Sequence, residues 1–141
     1  EAREVAKLEA RDREVKTHEA AHAAVGGAYA GSPSLTYKKG PDGRSYATSG
    51  EVSIDISPVA GDPQATLQKA EIVRAAALAP AQPSAQDMRV ASRASVMAAE
   101  ARADIMAEVN AEKVVPTDDV SSEQDSSISE DALPEQSNSR F

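Results

Sequence analysis

Apolar positions recur along the first 25 residues at helical spacing. Val5, Leu8, Val15, His22 and Val25 fall on one side, while Arg3, Glu4, Lys7, Arg11, Arg13, Glu14 and Lys16 cover the other. This predicts a long helix over Ala2 to Val25, stopped by Gly26-Gly27, because glycine accepts the backbone turn that ends a helix. After Ser32-Pro33 the period changes from helical to alternating. The stretch "LTYKKGPDGRSYATSGEVSIDIS" carries two extended runs around the turn "GPDG". Val52, Ile54 and Ile56 point one way and Glu51, Ser53 and Asp55 the other, with Gly50 placed for a bulge or bend. Two further helices follow. One starts behind Asp62 as N-cap and Pro63 as first helical residue, and closes by Pro80. The other begins at "PSAQD", where Ser84 and Asp87 form a capping pair, and shows a thin stripe of Val90, Met97, Ala101 and Ile105.

Composition limits what these elements can bury. The chain has 141 residues and is 40% hydrophobic but only 3% aromatic, and much of the apolar share is alanine. The core is therefore modest, the kind that gains from a bound metal. Net charge is −8, and from Pro116 onward seven acids face one base, Arg140, so six of the eight charges sit in the tail. The Ser-, Asp- and Glu-rich segment 115–141 reads as a disordered acidic tail. No basic stripe with interleaved aromatics is present, which argues against nucleic acid as partner, and no apolar stretch is long enough to span a bilayer. The absence of cysteine removes thiolate metal sites, disulfides and cysteine nucleophiles together, and leaves the compartment open. The chain opens on Glu1 within a helical pattern, as a fragment or processed form would.

The chemistry is concentrated in "EVKTHEAAHAAVGG", which holds both histidines of the chain. On a helix, residues four apart stand one above the other, so His18 and His22 can offer two imidazoles to one ion. Glu19 is turned away by one residue and is free to act as general base toward a water at the metal. This is the arrangement of H-E-x-x-H zinc peptidases. Ala20, Ala21, Ala23 and Ala24 leave room for close neighbours. The alternative is a solvated helix on which the spacing is accidental.

Zinc needs a third protein ligand. The metzincin continuation fails, because Val25 and Tyr29 stand where glycine and histidine are required. With no other histidine and no cysteine, the ligand must be a carboxylate. Glu51, on the polar face at the start of the Val/Ile run, is the first choice, with Asp55 and the helix-borne Glu71 as alternatives. Asp12 could accept a ring N–H or form a helix-surface ion pair. Of the three tyrosines, Tyr29, Tyr37 and Tyr46, the ordinary role is packing the hairpin on the helix, and Tyr46 is the best placed for oxyanion stabilisation.

From about Leu8 to Ala94 the chain resembles the SprA-related family of bacterial metalloproteases. The likeness is carried in order by "RDREV", "HEAAHAAVGG", "YKKGPDGR.YA", "GEVSID" and "ALAPAQPSAQD". It implies a zincin-like domain with His18 and His22 as ligands and Glu19 as general base, and it draws attention to Glu51 within "GEVSID". Zincins usually place a sheet before the active-site helix, whereas here the hairpin follows it.

The resulting expectation is an α+β fold. It comprises a zincin-like domain over 1–114, with a long HExxH helix, a hairpin region bordering the cleft and two further helices, followed by the tail. The expected function is zinc-dependent hydrolysis of peptide bonds. His18, His22 and Glu51 hold Zn2+, Glu19 activates water, and Tyr46 is the auxiliary group. The rival is a zinc-stabilised interaction module without catalysis, and the alanine-rich helices allow self-association.

Overall fold

Helix α1, Ala2–Gly26, forms where the pattern requires, and the chain turns at Gly27, whose φ is +53°. A computed structural model describes residues 1–132, with side chains through 112. The buried face of α1 differs from the expected one. It consists of Leu8, Val15, Glu19, His22 and Gly26, while Val25 is 44% exposed. The seven-residue step from Leu8 to Val15 to His22 keeps one stripe inward, and Glu19 and Gly26 repeat that step beside it. Glu19 is thus a carboxylate on the inner face of a helix.

Strands β1, Ser34–Lys39, and β2, Ser45–Glu51, pair antiparallel around the predicted turn. The register breaks between Thr36, opposite Ser49, and Tyr37, opposite Ala47. The bulge therefore lies at Thr48 and not at Gly50, which pairs with Leu35. β2 lies along α1. Asp12 Oδ1 accepts the Ala47 N–H at 2.8 Å, and the Arg11 side chain donates to the Thr48 carbonyl at 3.1 Å. Asp12 also pairs with Lys16 at 3.2 Å, so it takes the helix-surface ion pair foreseen for it. Past β2, Ser53 to Asp55 run beside Tyr29 to Gly31, joined by an isolated bridge between Ala30 and Ile54. The expected alternation survives there as burial: Val52, Ile54 and Ile56 are half-buried, and Glu51, Ser53 and Asp55 exposed.

Helix α2, Pro63–Ala77, starts as predicted, with the Asp62 carboxylate accepting from Ala65 N–H at 3.0 Å. It buries Ala70, Val73, Ala76 and Ala77. Helix α3, Ala85–Ala132, buries Ala91, Ala94, Met97, Ala98 and Ala101, with Ala70, Met97 and Ala98 meeting in one cluster beside Leu67. Small side chains let the helices approach closely, at the cost of little buried area per residue.

Contacts divide the chain into Glu1–Arg102, which holds α1, the hairpin, α2 and the buried start of α3, and Ala103–Phe141. Of the expected tail, 133–141 lie outside the described residues, and the backbone of 115–132 is the end of α3. The fold is α+β, three helices and a two-stranded antiparallel sheet. Among the described residues no helix is long and apolar enough to cross a membrane.

Candidate metal centre

Two helices and a helix end build the site. His18 and His22 lie one turn apart on α1, their ring centroids 4.9 Å apart and nearly perpendicular. The first turn of α3 brings Asp87 against them. Its Oδ2 stands 3.1 Å from His18 Nε2 and 3.1 Å from His22 Nε2. The three donors lie within 4.8 Å of one another, a grouping able to hold a metal ion. Two donors on one tetrahedral zinc, with bonds of about 2.0–2.2 Å, stand roughly 3.3 Å apart. The Asp87–histidine separations are close to that figure.

Two of the three donors, His22 and Asp87, are oriented from behind. His22 Nδ1 lies 2.8 Å from the Ala76 carbonyl at the end of α2. A carbonyl can only accept, so Nδ1 carries the hydrogen, and Nε2 of the neutral ring presents a lone pair to the Asp87 carboxylate. Two lone pairs at 3.1 Å repel unless a proton or a cation lies between them. This donor set therefore suits a cation, and its carbonyl-anchored histidine is the usual support of a metal ligand.

Asp87 is held by the start of α3. Its Oδ2 accepts the Ser84 N–H at 2.9 Å, and its own N–H donates to Ser84 Oγ at 3.0 Å. Burial on its own would raise the Asp87 carboxyl. The Ser84 hydrogen bonds and the adjacent His22 and His18 outweigh burial and hold it below the usual range, in the ionised form a metal requires.

The side chain of His22 is 3% exposed, that of Asp87 15% and that of His18 28%. The site therefore opens on the His18 side. There a cleft of about 500 Å3 runs between Arg13, Thr17 and His18 of α1 and the linker residues Ala81 and Gln82. On the other flank Glu19 is buried under β2. A Cβ built on Gly50 would stand 2.6 Å from Leu35 Cδ2 and 3.1 Å from Glu19 Cγ, so glycine lets the strand pass this close to the Glu19 side chain.

Residues 1–137 match the SprA-related family. The chain belongs to the SprA-related family. The match extends well beyond the stretch of resemblance read from the residues. No curated protein and no solved structure matches this SprA-related chain.

The other residues singled out in this SprA-related sequence are not gathered with the histidines. Glu51 is exposed at the end of β2, opposite Ser34. Gly50 faces α1, and strand alternation turns its neighbour Glu51 the other way. Asp55 accepts from Ser57 Oγ at 2.6 Å, Ser57 N–H at 3.0 Å and Lys69 Nζ at 2.9 Å, which together hold its carboxyl well below the usual range. Lys69, buried beside the Tyr29 ring at 5.2 Å, thereby pins the segment after β2 to α2. Glu71 is exposed on α2 and lines a groove with Val25 and Ile72.

Tyr46 donates its O–H to Asp42 across the hairpin turn and packs near Leu8. Leu8 precedes His18 by ten residues, about 15 Å along a helix axis. Tyr46 thus performs the packing role, which leaves the auxiliary catalytic one without structural support. The hairpin covers the Glu19 flank, while the linker between α2 and α3 borders the cleft.

Asp87 is the residue that sequence reasoning used only as a cap. Its one signal was "ALAPAQPSAQD", a proline-punctuated link ending on an aspartate in a first helical turn.

Proposed function

We propose that this chain is a zinc-dependent metallopeptidase whose ligands are His18, His22 and Asp87, with Glu19 as general base. The reading rests above all on the Asp87 carboxylate standing 3.1 Å from both histidine Nε2 atoms while Ala76 fixes the His22 tautomer. Three protein donors and an exposed edge at His18 are the pattern of a catalytic site, which keeps one position open. Zinc, when bound there, polarises a carbonyl and lowers the pKa of a water toward neutrality.

The residues of the chain supply the rest. Glu19, one residue on from His18 and outside the ligand group, takes the proton of the attacking water and delivers it to the leaving amine. Glu19 is itself buried under β2. The Ser84 bonds keep Asp87 anionic, and the Ala76 carbonyl keeps the His22 ring from rotating.

The test pairs metal analysis with hydrolysis of a quenched peptide mixture. Wild type should carry one zinc per chain and cleave. Glu19→Gln should retain the zinc and lose cleavage by at least about 100-fold. Zinc-bound wild type that cleaves nothing would favour the interaction module, and turnover surviving in Glu19→Gln would remove the general base.

A further inference from the structure

The His18 side is the most exposed side of the His18, His22 and Asp87 group. His22 and Glu19 are buried, β2 covers the Glu19 flank, and the half-exposed His18 borders the cleft. A chain reaching the site through that cleft lies along α1 toward its N-terminus.

The α1 wall is the stripe Ala10, Arg13, Glu14, Thr17 and His18. Its two charges are unlike in their surroundings. Glu14 has Arg11 Nη1 3.7 Å from its carboxylate. Arg13 is exposed and, among the described residues, has no ion pair within 4 Å. The cleft therefore presents a guanidinium whose charge reaches Asp12 only at longer range and whose fork is left free for a ligand, a group whose geometry matches a carboxylate.

Resting on the peptidase reading, we infer that Arg13 is a specificity-determining residue that recognises a carboxylate on the substrate. Five residues of helix separate Arg13 from His18, about 7.5 Å along the axis. An extended peptide covers that in about two residues. The preferred substrate is thus a peptide with Asp or Glu about two residues from the scissile bond. A free C-terminal carboxylate at the same distance offers the same chemistry.

Binding to the full chain carrying Glu19→Gln, with and without zinc, tests this without consuming the peptide. The probes are capped hexapeptides differing only in Glu, Gln or Lys at one position, scanned along the peptide, and a free-acid peptide without acidic side chains. The Glu peptide should bind about tenfold more tightly than its Gln and Lys counterparts. Adding Arg13→Ala should abolish the difference, and Arg13→Glu should invert it. Tight, Arg13-dependent binding of the free-acid peptide alone would assign the same site to a chain terminus. Equal or undetectable binding of all peptides, or a preference that survives Arg13→Ala, overturns the inference.

Cleavage by wild type is scored separately on the same peptides. Arg13-dependent binding without cleavage would sink the peptidase reading and leave the carboxylate site standing. Cleavage with no Arg13-dependent preference would do the reverse.

Discussion

Asp87 has two duties at once. It closes the first turn of α3 with Ser84 and turns the same carboxylate toward two imidazoles. The two duties can be separated by substitution. Asp87→Asn keeps the shape of the side chain but removes the anion, and zinc affinity should fall by at least about 100-fold. Ser84→Ala removes the hydroxyl cap, at a cost of about 1 kcal/mol, and should leave one zinc per chain. Glu51→Ala should change neither metal content nor stability, because that side chain is exposed at the end of β2. Equilibrium zinc titration and urea unfolding of the three variants separate the outcomes. Loss of zinc in Glu51→Ala with retention in Asp87→Asn would reverse the ligand assignment.

At the scale of elements, the hairpin is fastened by a pair that titrates at both ends of the pH range. The phenol of Tyr46 holds the Asp42 carboxyl below its usual value, and the same bond to Asp42 raises the phenol above its own. A depressed carboxyl contributes stability that is complete above about pH 3.9 and is lost as pH falls through its folded value. A raised phenol contributes stability that is complete below about pH 10 and is lost as pH rises through its folded value. Unfolding followed from pH 2 to 12 should therefore show stability falling at both extremes. Tyr46→Phe should flatten the alkaline limb and weaken the acid one, since Asp12 and Asp55 are depressed as well. An unchanged alkaline limb in that variant would show that the pair does not couple to folding.

These elements were legible because their causes are local. Gly26-Gly27, "GPDG", Asp62-Pro63 and Ser84 with Asp87 each fix a start or stop within a few residues. The two histidines were legible for the same reason, being one helical turn apart. What joins elements was not. The Thr48 bulge, the passage of Gly50 over Glu19 and the arrival of Asp87 depend on contacts between segments 30 or more residues apart in all but the first case. Glu51 was favoured on the strength of a polar strand face, but that face looks away from α1. The inward turn of Glu19 also escaped the hydrophobic pattern, because a charged residue carries no apolar signal.

For the whole molecule, the scarcity of large side chains decides how much a metal matters. Among the described residues Val73 is the largest side chain that is fully buried, and the remaining core is mostly alanine with Leu8, Val15, Tyr46 and Met97. Within Glu1–Arg102, Asp87 and His22 link α3, α1 and the end of α2, and the facing Asp87 Oδ2 and His22 Nε2 atoms, 3.1 Å apart, are suited to share a cation or a proton. A cation there binds the folded chain and has no preformed site in the unfolded one, so its binding energy adds to folding. Free zinc at 100 times its dissociation constant should add about 2.7 kcal/mol. At roughly 4 °C per kcal/mol for a domain of this size, Tm should rise by about 10 °C and return on chelation. Asp87→Asn should melt at one temperature with or without zinc. A wild-type Tm indifferent to zinc would mean that the cluster is satisfied by a proton on His22, and that the charge linking the helices is an imidazolium.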